Sequence, residues 1–398
     1  MVIKNIYSFL KLFCYTLSSF FLFTNTVISA EFSEKLHING YFTLDATITD
    51  EDVSLISNSD HAIVNDKNSL NLDNSLIGAQ VSYSFTDNFT GVIQGKIYDE
   101  GKLPDAKNNS IAQIDWAYVT YEFGADLKAR AGRFLIPLMK GNELRSVGFS
   151  RIWARPLLPN SGTGGYKNYT GLEVLKHVST GKGNWDIQVA VGQADHYLDT
   201  IDNKYLGLLS LKYQQDSFWI RSAILSTQFD IFTRPGELIK DNATAIMFST
   251  EAEYTINNVL INAGYTKSNT DIAPNDTNYY LSLAYNFDSL VPYIYHSRFK
   301  QQFNTPNRPP PSSEDLPEGP PPNGPPPNGP PPEGPPPRGL SPDDDVNIFH
   351  WVVGTRYNFC ERYALKFQLE HIKDNKRANV SAENGKGNAF SIVLEGIF

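Results

Sequence analysis

Beyond its first 30 residues the sequence has no apolar run of about 18 residues, the length that a membrane-spanning helix requires. A helical membrane protein is therefore excluded. Cysteine is scarce, with Cys14 and Cys360 alone, so a cysteine-ligated metal cluster is also excluded. The seven histidines are scattered without His-x-x-x-His spacing. The sequence therefore predicts no metal site and no cofactor.

Residues 1–30 have the features of a cleaved secretory signal peptide. Lys4 and Lys11 precede the apolar run LFCYTLSSFFLF, and small residues end the segment at Ala30. An uncleaved anchor is the alternative, but its apolar core is short and is interrupted by Thr and Ser. Either interpretation sends the chain across a membrane. We expect residues 31–398 to form one mature unit.

Positive charge is also in short supply. The formal net charge is −9, and it falls to −11 when the leader removes Lys4 and Lys11. An acidic chain without a basic tail argues against nucleic acid as a partner. Aromatic residues, in contrast, make up 13% of the chain, with 21 tyrosines. An exported, weakly hydrophobic and tyrosine-rich chain is typical of a barrel in the bacterial outer membrane.

Short segments of alternating apolar and polar residues support this interpretation. From Ile77 to Phe85 the apolar side chains occupy every second position, and the same period of two recurs at 185–191, 279–285 and 363–369. This period places one set of side chains toward lipid and the other toward a polar lumen. A soluble β-sandwich would also show such alternation.

The connections between these segments alternate between short and long, which a sandwich does not require. Seven tight turns lie near 86–88, 124–126, 181–183, 215–217, 257–258, 287–289 and 359–361. Eight longer polar segments lie near 49–67, 100–110, 137–165, 196–202, 231–241, 268–276, 303–345 and 375–386. They join sixteen predicted strands: 35–48, 68–86, 89–99, 111–123, 126–136, 166–177, 184–195, 203–214, 218–230, 242–256, 259–267, 277–286, 290–302, 346–358, 362–374 and 387–398. The predicted fold class is all-β, a 16-stranded antiparallel transmembrane β-barrel.

The third long segment carries most of the candidate chemistry. Residues 131–167 read AGRFLIPLMKGNELRSVGFSRIWARPLLPNSGTGGYK. Between predicted strands 5 and 6, five cations accompany one acid, giving a local net charge of +4: Lys140, Arg145, Arg151, Arg155 and Lys167, with Glu143. A cationic constriction in an aqueous barrel concentrates anions and lowers their entry barrier. Lys128 and Arg130 would add to it if their parity points them into the lumen.

The arginines among these cations have a structural alternative. They could pair with Glu143 and with acids of the barrel wall, such as Glu251 and Glu253, and so hold the loop in place. The sequence alone leaves both roles open.

The pattern in this segment resembles that of a known family. The matching residues are Gly132, Arg133, Phe134, Pro137, Glu143, Arg145, Val147, Gly148, Phe149, Arg151, Trp153, Arg155 and Pro156. In this pattern the chain is similar to trimeric Gram-negative outer-membrane porins, particularly a phosphate-selective-like proteobacterial branch. Ser146 and Ile152 depart from the pattern, which more often has Asp and Pro. The resemblance implies a homotrimer in which this loop folds inward and narrows the pore.

The end of the chain provides a second resemblance. Phe390, Ile392, Leu394, Gly396 and Phe398 alternate up to the terminus. The pattern resembles the C-terminal signature by which barrel-assembly machinery recognises its clients, although Gly396 replaces the usual bulky residue. It implies barrel-assembly machinery as a partner, through Phe398.

Residues 318–339 read EGPPPNGPPPNGPPPEGPPPRG, four Gly-Pro-Pro-Pro units inside the seventh long segment, 303–345. Three prolines per unit favour polyproline II, whose backbone stays open to water. Because predicted strands of one kind flank it, the repeat is interpreted as an extracellular loop insertion. It would serve as a solvated spacer or as a ligand for an external partner.

The leading hypothesis is an outer-membrane porin that lets small hydrophilic solutes, mainly anions, diffuse through a water-filled channel. Outer-membrane lipid is its surroundings, and no enzymatic activity is expected. One alternative is an adhesion or interaction barrel that uses the proline-rich loop. The other is an outer-membrane hydrolase, which would require a Ser–His pair on adjacent strands.

Overall fold

The computed structural model describes residues 34–56, 62–99, 110–155, 166–196, 201–232, 238–271, 275–302, 346–374 and 385–398. The predicted signal peptide, 1–30, and the predicted proline-rich insertion, 303–345, lie outside these residues. No helix in the described ranges is long and apolar enough to cross a membrane.

Sixteen strands close into one antiparallel barrel, which confirms the predicted fold class. In chain order the strands are β1 (Leu36–Thr49), β2 (Val53–Ile56), β3 (Ala62–Asn65), β4 (Leu76–Thr86), β5 (Phe89–Asp99), β6 (Ser110–Glu122), β7 (Leu127–Leu135), β8 (Tyr166–Thr180), β9 (Gly183–His196), β10 (Ile201–Gln215), β11 (Phe218–Phe232), β12 (Leu238–Ile256), β13 (Val259–Thr270), β14 (Asn275–Tyr285), β15 (Leu290–Gln302), β16 (Val346–Cys360), β17 (Tyr363–Asp374) and β18 (Lys386–Ile397). Each barrel strand pairs with its chain neighbours, β4 pairs with β1, and β18 closes the ring against β1.

The two faces of the strands differ in the way that the alternation predicts. On β17 the inward-pointing Lys366, Gln368 and Glu370 are at most 3% exposed, whereas Leu369 between them is 58% exposed. On β14, Leu281 is 59% exposed. An apolar set faces outward around a polar interior, because a period of two separates the faces along every strand.

One predicted strand begins too early. The prediction starts it at residue 68, whereas β4 begins at Leu76. Asn68 has a φ of 55°, which a strand does not allow, and the Asn71 side chain accepts a hydrogen bond of 2.7 Å from the backbone N–H of Asp73. These local turns leave β4 shorter than its predicted range.

The first long segment, predicted as a loop at 49–67, also differs. It contains a small hairpin in which β2 pairs with β3. Val53 and Leu55 are buried, and they pack in one cluster with Val346, Ile348 and Ile372 of the last strands. The alternation of apolar residues at Val53 and Leu55 is the feature of the sequence that indicates this hairpin. The polar residues around them favoured the prediction of a loop.

Candidate functional site

Residues 136–155, here called the internal segment, are the described part of the connection between β7 and β8, the fifth and sixth strands of the barrel. They include the helical turn α1 (Lys140–Glu143) and a 3₁₀ turn at Gly148–Ser150. Their hydrogen bonds reach separate parts of the wall. On β12 Ser249 donates to the carbonyl of Leu138 at 2.6 Å, and on β5 Lys96 donates to Ser146 at 2.8 Å. Since both partners face inward, the internal segment lies inside the barrel.

Arg155 ends the internal segment in a buried acidic cluster. Its guanidinium donates to both carboxylate oxygens of Asp45 at 3.2 and 3.1 Å, and it forms an ion pair with Glu370. It also donates to Ser391 at 2.9 Å. Arg155 is 3% exposed and the two acids at most 3%. One side chain thus joins strands β1, β17 and β18.

Two cations of the wall hold the middle of the internal segment by its backbone. Lys366 donates to the carbonyls of Gly148 and Trp153 at 3.0 and 2.9 Å and forms an ion pair with Glu395. Arg356 donates to the carbonyls of Phe149 and Arg151, both at 2.8 Å. These wall side chains donate hydrogen bonds to backbone carbonyl groups of the internal segment, as burial requires.

Gly148 permits this close approach. A Cβ atom at residue 148 would lie 2.0 Å from Oε1 of Glu395 and 2.7 Å from Oγ1 of Thr43. A side chain at residue 148 would therefore displace Glu395 from its ion pair with Lys366, or the internal segment from the wall. Glycine is favoured here by contact and not by backbone conformation.

The three arginines of the internal segment differ in their charge environment. Burial lowers the pKa of Arg145 to about 9, and the positive charge of Arg151 adds to this. Burial likewise lowers the pKa of Arg151, although Glu395 and Asp45 oppose the shift. For Arg155 burial also lowers the pKa, but Asp45 and Glu370 outweigh it and raise the pKa above its ordinary value. Arg155 is therefore the most strongly paired of the three.

The predicted structural partners of these arginines are partly wrong. Glu143 binds Arg221 of β11 at 2.6 Å, not an arginine of the loop. Glu251 accepts a hydrogen bond from the backbone N–H of Lys140 at 2.9 Å. The wall acids that hold Arg155 are instead Asp45 and Glu370, far from it in sequence. Arg151 donates to the carbonyl of Arg145 at 2.6 Å within the internal segment.

A cavity of about 780 Å³ lies beside the internal segment, toward the short turns. Lys128, Lys140 and Lys212 are among the side chains that line it. Lys140 is 3.7 Å from Glu253, and Lys212 is 3.9 Å from Asp186, so these are long ion pairs. The Lys140 side chain is 47% exposed and that of Lys128 45%. Lys128 forms a closer ion pair with Glu122, at 2.6 Å. Four acids also line the cavity: Asp126, Glu143, Asp186 and Glu253. The lysine ammonium groups are accessible cations beside the internal segment.

The remaining predicted positions are placed as follows. Lys128 and Arg130 both point inward on β7, but Arg130 forms an ion pair with buried Glu173 and does not line the cavity. Lys167 lies on β8, and its side chain is outside the described residues. Arg145 and Arg155 are buried, so the structure separates them from the exposed Lys140.

Sequence reasoning missed Arg221, Lys212, Lys366 and Arg356. Each lies on a strand as a polar residue in an alternating pattern, where it looks like any other lumen side chain. The alternation of each strand indicates that these four cations point into the lumen. It does not indicate which groups they bind, because their partners come from distant parts of the chain.

A hydrogen-bonded row of three side chains also lines the wall near the short turns. The Nδ1 atom of His177 is 2.7 Å from Oδ1 of Asp186, and its Nε2 atom is 3.1 Å from Oγ of Ser179. His177 and Asp186 both border the 780 Å³ cavity. The order Ser–His–Asp is that of a nucleophile, a base and an orienting acid. All three side chains are solvent-accessible, with Asp186 51% exposed.

Among the described residues, no group of three or more His, Cys, Asp or Glu side chains is placed to hold a metal ion.

No protein-family model matches the sequence, and no curated protein matches it. Solved structures do match. An anion-selective porin from Comamonas acidovorans superposes with a TM-score of 0.56 at 10% identity, covering 91% of this chain and 99% of that one. The outer membrane channel DcaP of Acinetobacter baumannii gives 0.56 at 10%, with 91% and 97% covered. OmpTdeltaL8, a loop-deletion mutant of an outer membrane protein of Vibrio cholerae, gives 0.55 at 12%, with 92% and 100% covered. At these identities the likeness shows a shared fold alone.

Proposed function

We propose that this chain is a porin of the bacterial outer membrane, through which small hydrophilic solutes diffuse passively, with a preference for anions. The observation that carries the proposal is the 780 Å³ cavity inside a closed 16-stranded barrel, beside the internal segment and lined by Lys128, Lys140 and Lys212. An outward apolar face suits lipid, and a polar interior suits water. The fold shared with a porin described as anion-selective supports the same proposal.

The internal segment is proposed to set the size of the passage, as the constriction between the fifth and sixth barrel strands. Its buried arginines act through structure, because Arg155 is enclosed by Asp45 and Glu370. The solute-facing role is assigned to the exposed ammonium groups, above all Lys140. Positive side chains on a pore wall raise the local concentration of anions and lower their entry barrier.

The proposal also covers the two ends of the chain, its oligomeric state and the proline-rich insertion. Residues 1–30 act as a cleaved signal peptide, Phe398 is recognised by barrel-assembly machinery, and three copies form a trimer. The proline-rich insertion at 303–345 lies on the extracellular rim, because the long loops of bacterial barrels face outside.

The channel is tested by reconstituting the purified barrel in planar lipid bilayers. We expect stepwise conductance and, under a potassium chloride gradient, a reversal potential whose sign reports chloride as the more permeant ion. The reason is the excess of Lys and Arg over acids along the cavity, five against four, together with the exposure of its lysine ammonium groups. A barrel that inserts but stays silent would reject the channel, and a potassium-selective current would reject the anion preference.

A second candidate function is supported by the row formed by Ser179, His177 and Asp186. Its connectivity allows His177 to take a proton from the Ser179 hydroxyl, as in acyl transfer. This matches the hydrolase alternative, although Ser179 and His177 share β8 and only Asp186 comes from the adjacent strand. The exposed Asp186 differs from the buried acid of serine hydrolases, which places this candidate behind the channel.

Hydrolysis is tested with p-nitrophenyl esters of short acids and the folded barrel. The hydrolase candidate predicts turnover that falls by about 10³-fold or more in Ser179→Ala, since the nucleophile is lost. Ser226→Ala, in the outward set of β11, serves as the control for a serine-to-alanine change outside the lumen. Turnover equal in both variants and in the unchanged protein would remove this candidate.

A further inference from the structure

The outward face of the barrel carries a band of positive charge at its long-loop end. The band consists of Lys267, Arg298, Lys300, Lys373 and Lys386, on strands β13, β15, β17 and β18. Each belongs to the outward set of its strand. Ile294, four residues before Arg298, is 41% exposed, and Leu369, four residues before Lys373, is 58% exposed. The five cations therefore project from the outside of the barrel, not into its lumen.

Strand register places these side chains in two adjacent rows. In the first row Lys267 faces Thr277, and Thr277 faces Lys300. In the second row Arg298 is paired with Phe349, Phe349 with Lys373, and Lys373 with Lys386. With strands about 4.8 Å apart, the band spans on the order of 24 Å across six strands.

The pairing of Lys373 with Lys386 is unfavourable in isolation. Residues directly opposite on neighbouring strands have Cβ atoms about 5 Å apart, and like charges at such positions destabilise the sheet. Both side chains are exposed at the end of their strands. An anion placed between the two ammonium groups would convert this repulsion into attraction.

The band has no acidic partner among the described residues. None of its five cations forms an ion pair there. Arg298 is held by neutral groups, donating to Asn347 at 2.7 Å with its guanidinium 4.6 Å from the centre of the Phe349 ring. The nearby carboxylate of Asp50 accepts two hydrogen bonds from Asn388, at 2.7 and 2.6 Å. Within the described ranges, neutral groups alone therefore orient Arg298.

Apolar side chains continue the same face below the band. Trp351 is 49% exposed and Phe390 38%, and both lie on the strands that carry the band or between them. The ring of His296 lies 4.3 Å from that of Trp351. A surface with cations above and apolar side chains below matches a molecule that has an anionic head and hydrocarbon chains.

We propose that this band binds the phosphate groups of a phosphorylated lipid in the leaflet on the long-loop side. The proposal rests on the membrane location proposed above, in which the long loops face outside. Guanidinium and ammonium groups bind phosphate oxygens through charge-assisted hydrogen bonds. Lipid is preferred to free phosphate because the apolar face directly below the cations would contact its acyl chains.

The test compares two triple variants of the whole folded barrel. Arg298→Gln, Lys373→Gln and Lys386→Gln neutralise the second row of the band, three of its five cations. Lys182→Gln, Lys204→Gln and Lys240→Gln remove three exposed lysines outside it and serve as the control. Binding is measured in detergent with diphosphorylated lipid A, with its dephosphorylated form and with inorganic phosphate as probes. We expect band neutralisation to weaken lipid A binding on the order of 100-fold, since each basic residue near a lipid surface contributes appreciably.

Several outcomes would overturn the proposal. One is equal binding of lipid A by the neutralised variant and the control variant. Another is equal binding of lipid A and its dephosphorylated form. A third is inorganic phosphate that binds the unchanged barrel as tightly as lipid A does. If the barrel forms oligomers in detergent and does not bind lipid A, this outward face is instead a contact surface for a second copy of the chain.

The unfolding temperature, measured with and without lipid A, distinguishes lipid binding by the band from a purely structural role of its cations. Lys386→Gln alone should raise the unfolding temperature in lipid-free detergent, because it removes the repulsion from Lys373, and should reduce the stabilisation that lipid A gives. Conductance is measured on the same preparations. A conducting barrel that fails to bind lipid A rejects the band, whereas a silent barrel that binds it rejects the channel.

Discussion

Replacing Arg155 by methionine is expected to lower the free energy of unfolding of the barrel by about 3–5 kcal/mol, the usual cost of removing one member of a buried ion pair. Asp45 and Glu370 would each remain buried without their guanidinium partner. The internal segment would then lose its attachment to the wall. The loss of unfolding free energy is measured by urea unfolding, which is monitored through the heat-dependent shift of the barrel on gels. Bilayer recording of the same variant should show a larger and noisier conductance.

The control for Arg155 is Lys140→Gln, in a side chain 47% exposed and 3.7 Å from its acid. An exposed ion pair contributes about 0–1 kcal/mol, so this variant should unfold like the unchanged barrel. Adding Asp45→Asn and Glu370→Gln to Arg155→Met removes the unpaired charges and should recover much of the stability. Equal stability of Arg155→Met and the unchanged barrel would contradict the anchoring role.

Charge reversal at the cavity is expected to invert ion selectivity. Lys128→Glu, Lys140→Glu and Lys212→Glu together replace three accessible cations of the 780 Å³ cavity by acids. Fields of clustered charge alter local ion concentrations by about tenfold or more, so the chloride-to-potassium permeability ratio should fall by at least that factor. Reversal potentials in a potassium chloride gradient provide the measurement, and raising the salt concentration should weaken the effect through screening.

Lys182→Glu, Lys204→Glu and Lys240→Glu carry the same change in net charge away from the cavity and should leave selectivity unchanged. If both triple variants behave alike, the cavity lysines do not select the ion. Neutralising Arg145, Arg151 and Arg155 is a poorer experiment, because a change in selectivity would mix the loss of charge with displacement of the internal segment.

The barrel itself could be predicted from the sequence because its rules are local. A period of two and the alternation of short and long connections follow from each strand and its nearest turn, and the strand at 290–302 has its predicted bounds. The errors arose where local signals competed. Asn68 and Asn71 form turns within a stretch that otherwise looks like a strand, and Val53 begins a hairpin in a polar segment.

The site was harder to predict because its partners are distant in sequence. Arg155 lies 110 positions from Asp45 and 215 from Glu370. Alternation predicts that both acids point inward, but not that they meet at one guanidinium. The sequence therefore shows that the internal segment is positively charged. The three-dimensional structure is required to show that Arg155 is buried and Lys140 is exposed.

The contacts of Arg155 also have a consequence for the order of folding. Asp45 lies on the first strand, Glu370 on β17 and Ser391 on the last strand, and they come together only when β18 pairs with β1. Before that pairing, the chain has not assembled the cluster that receives the guanidinium. Contacts over such separations form slowly, because a long chain must be ordered first. Docking of the internal segment is therefore a late step coupled to ring closure, and a barrel whose seam opens also loses the attachment of the segment in its lumen.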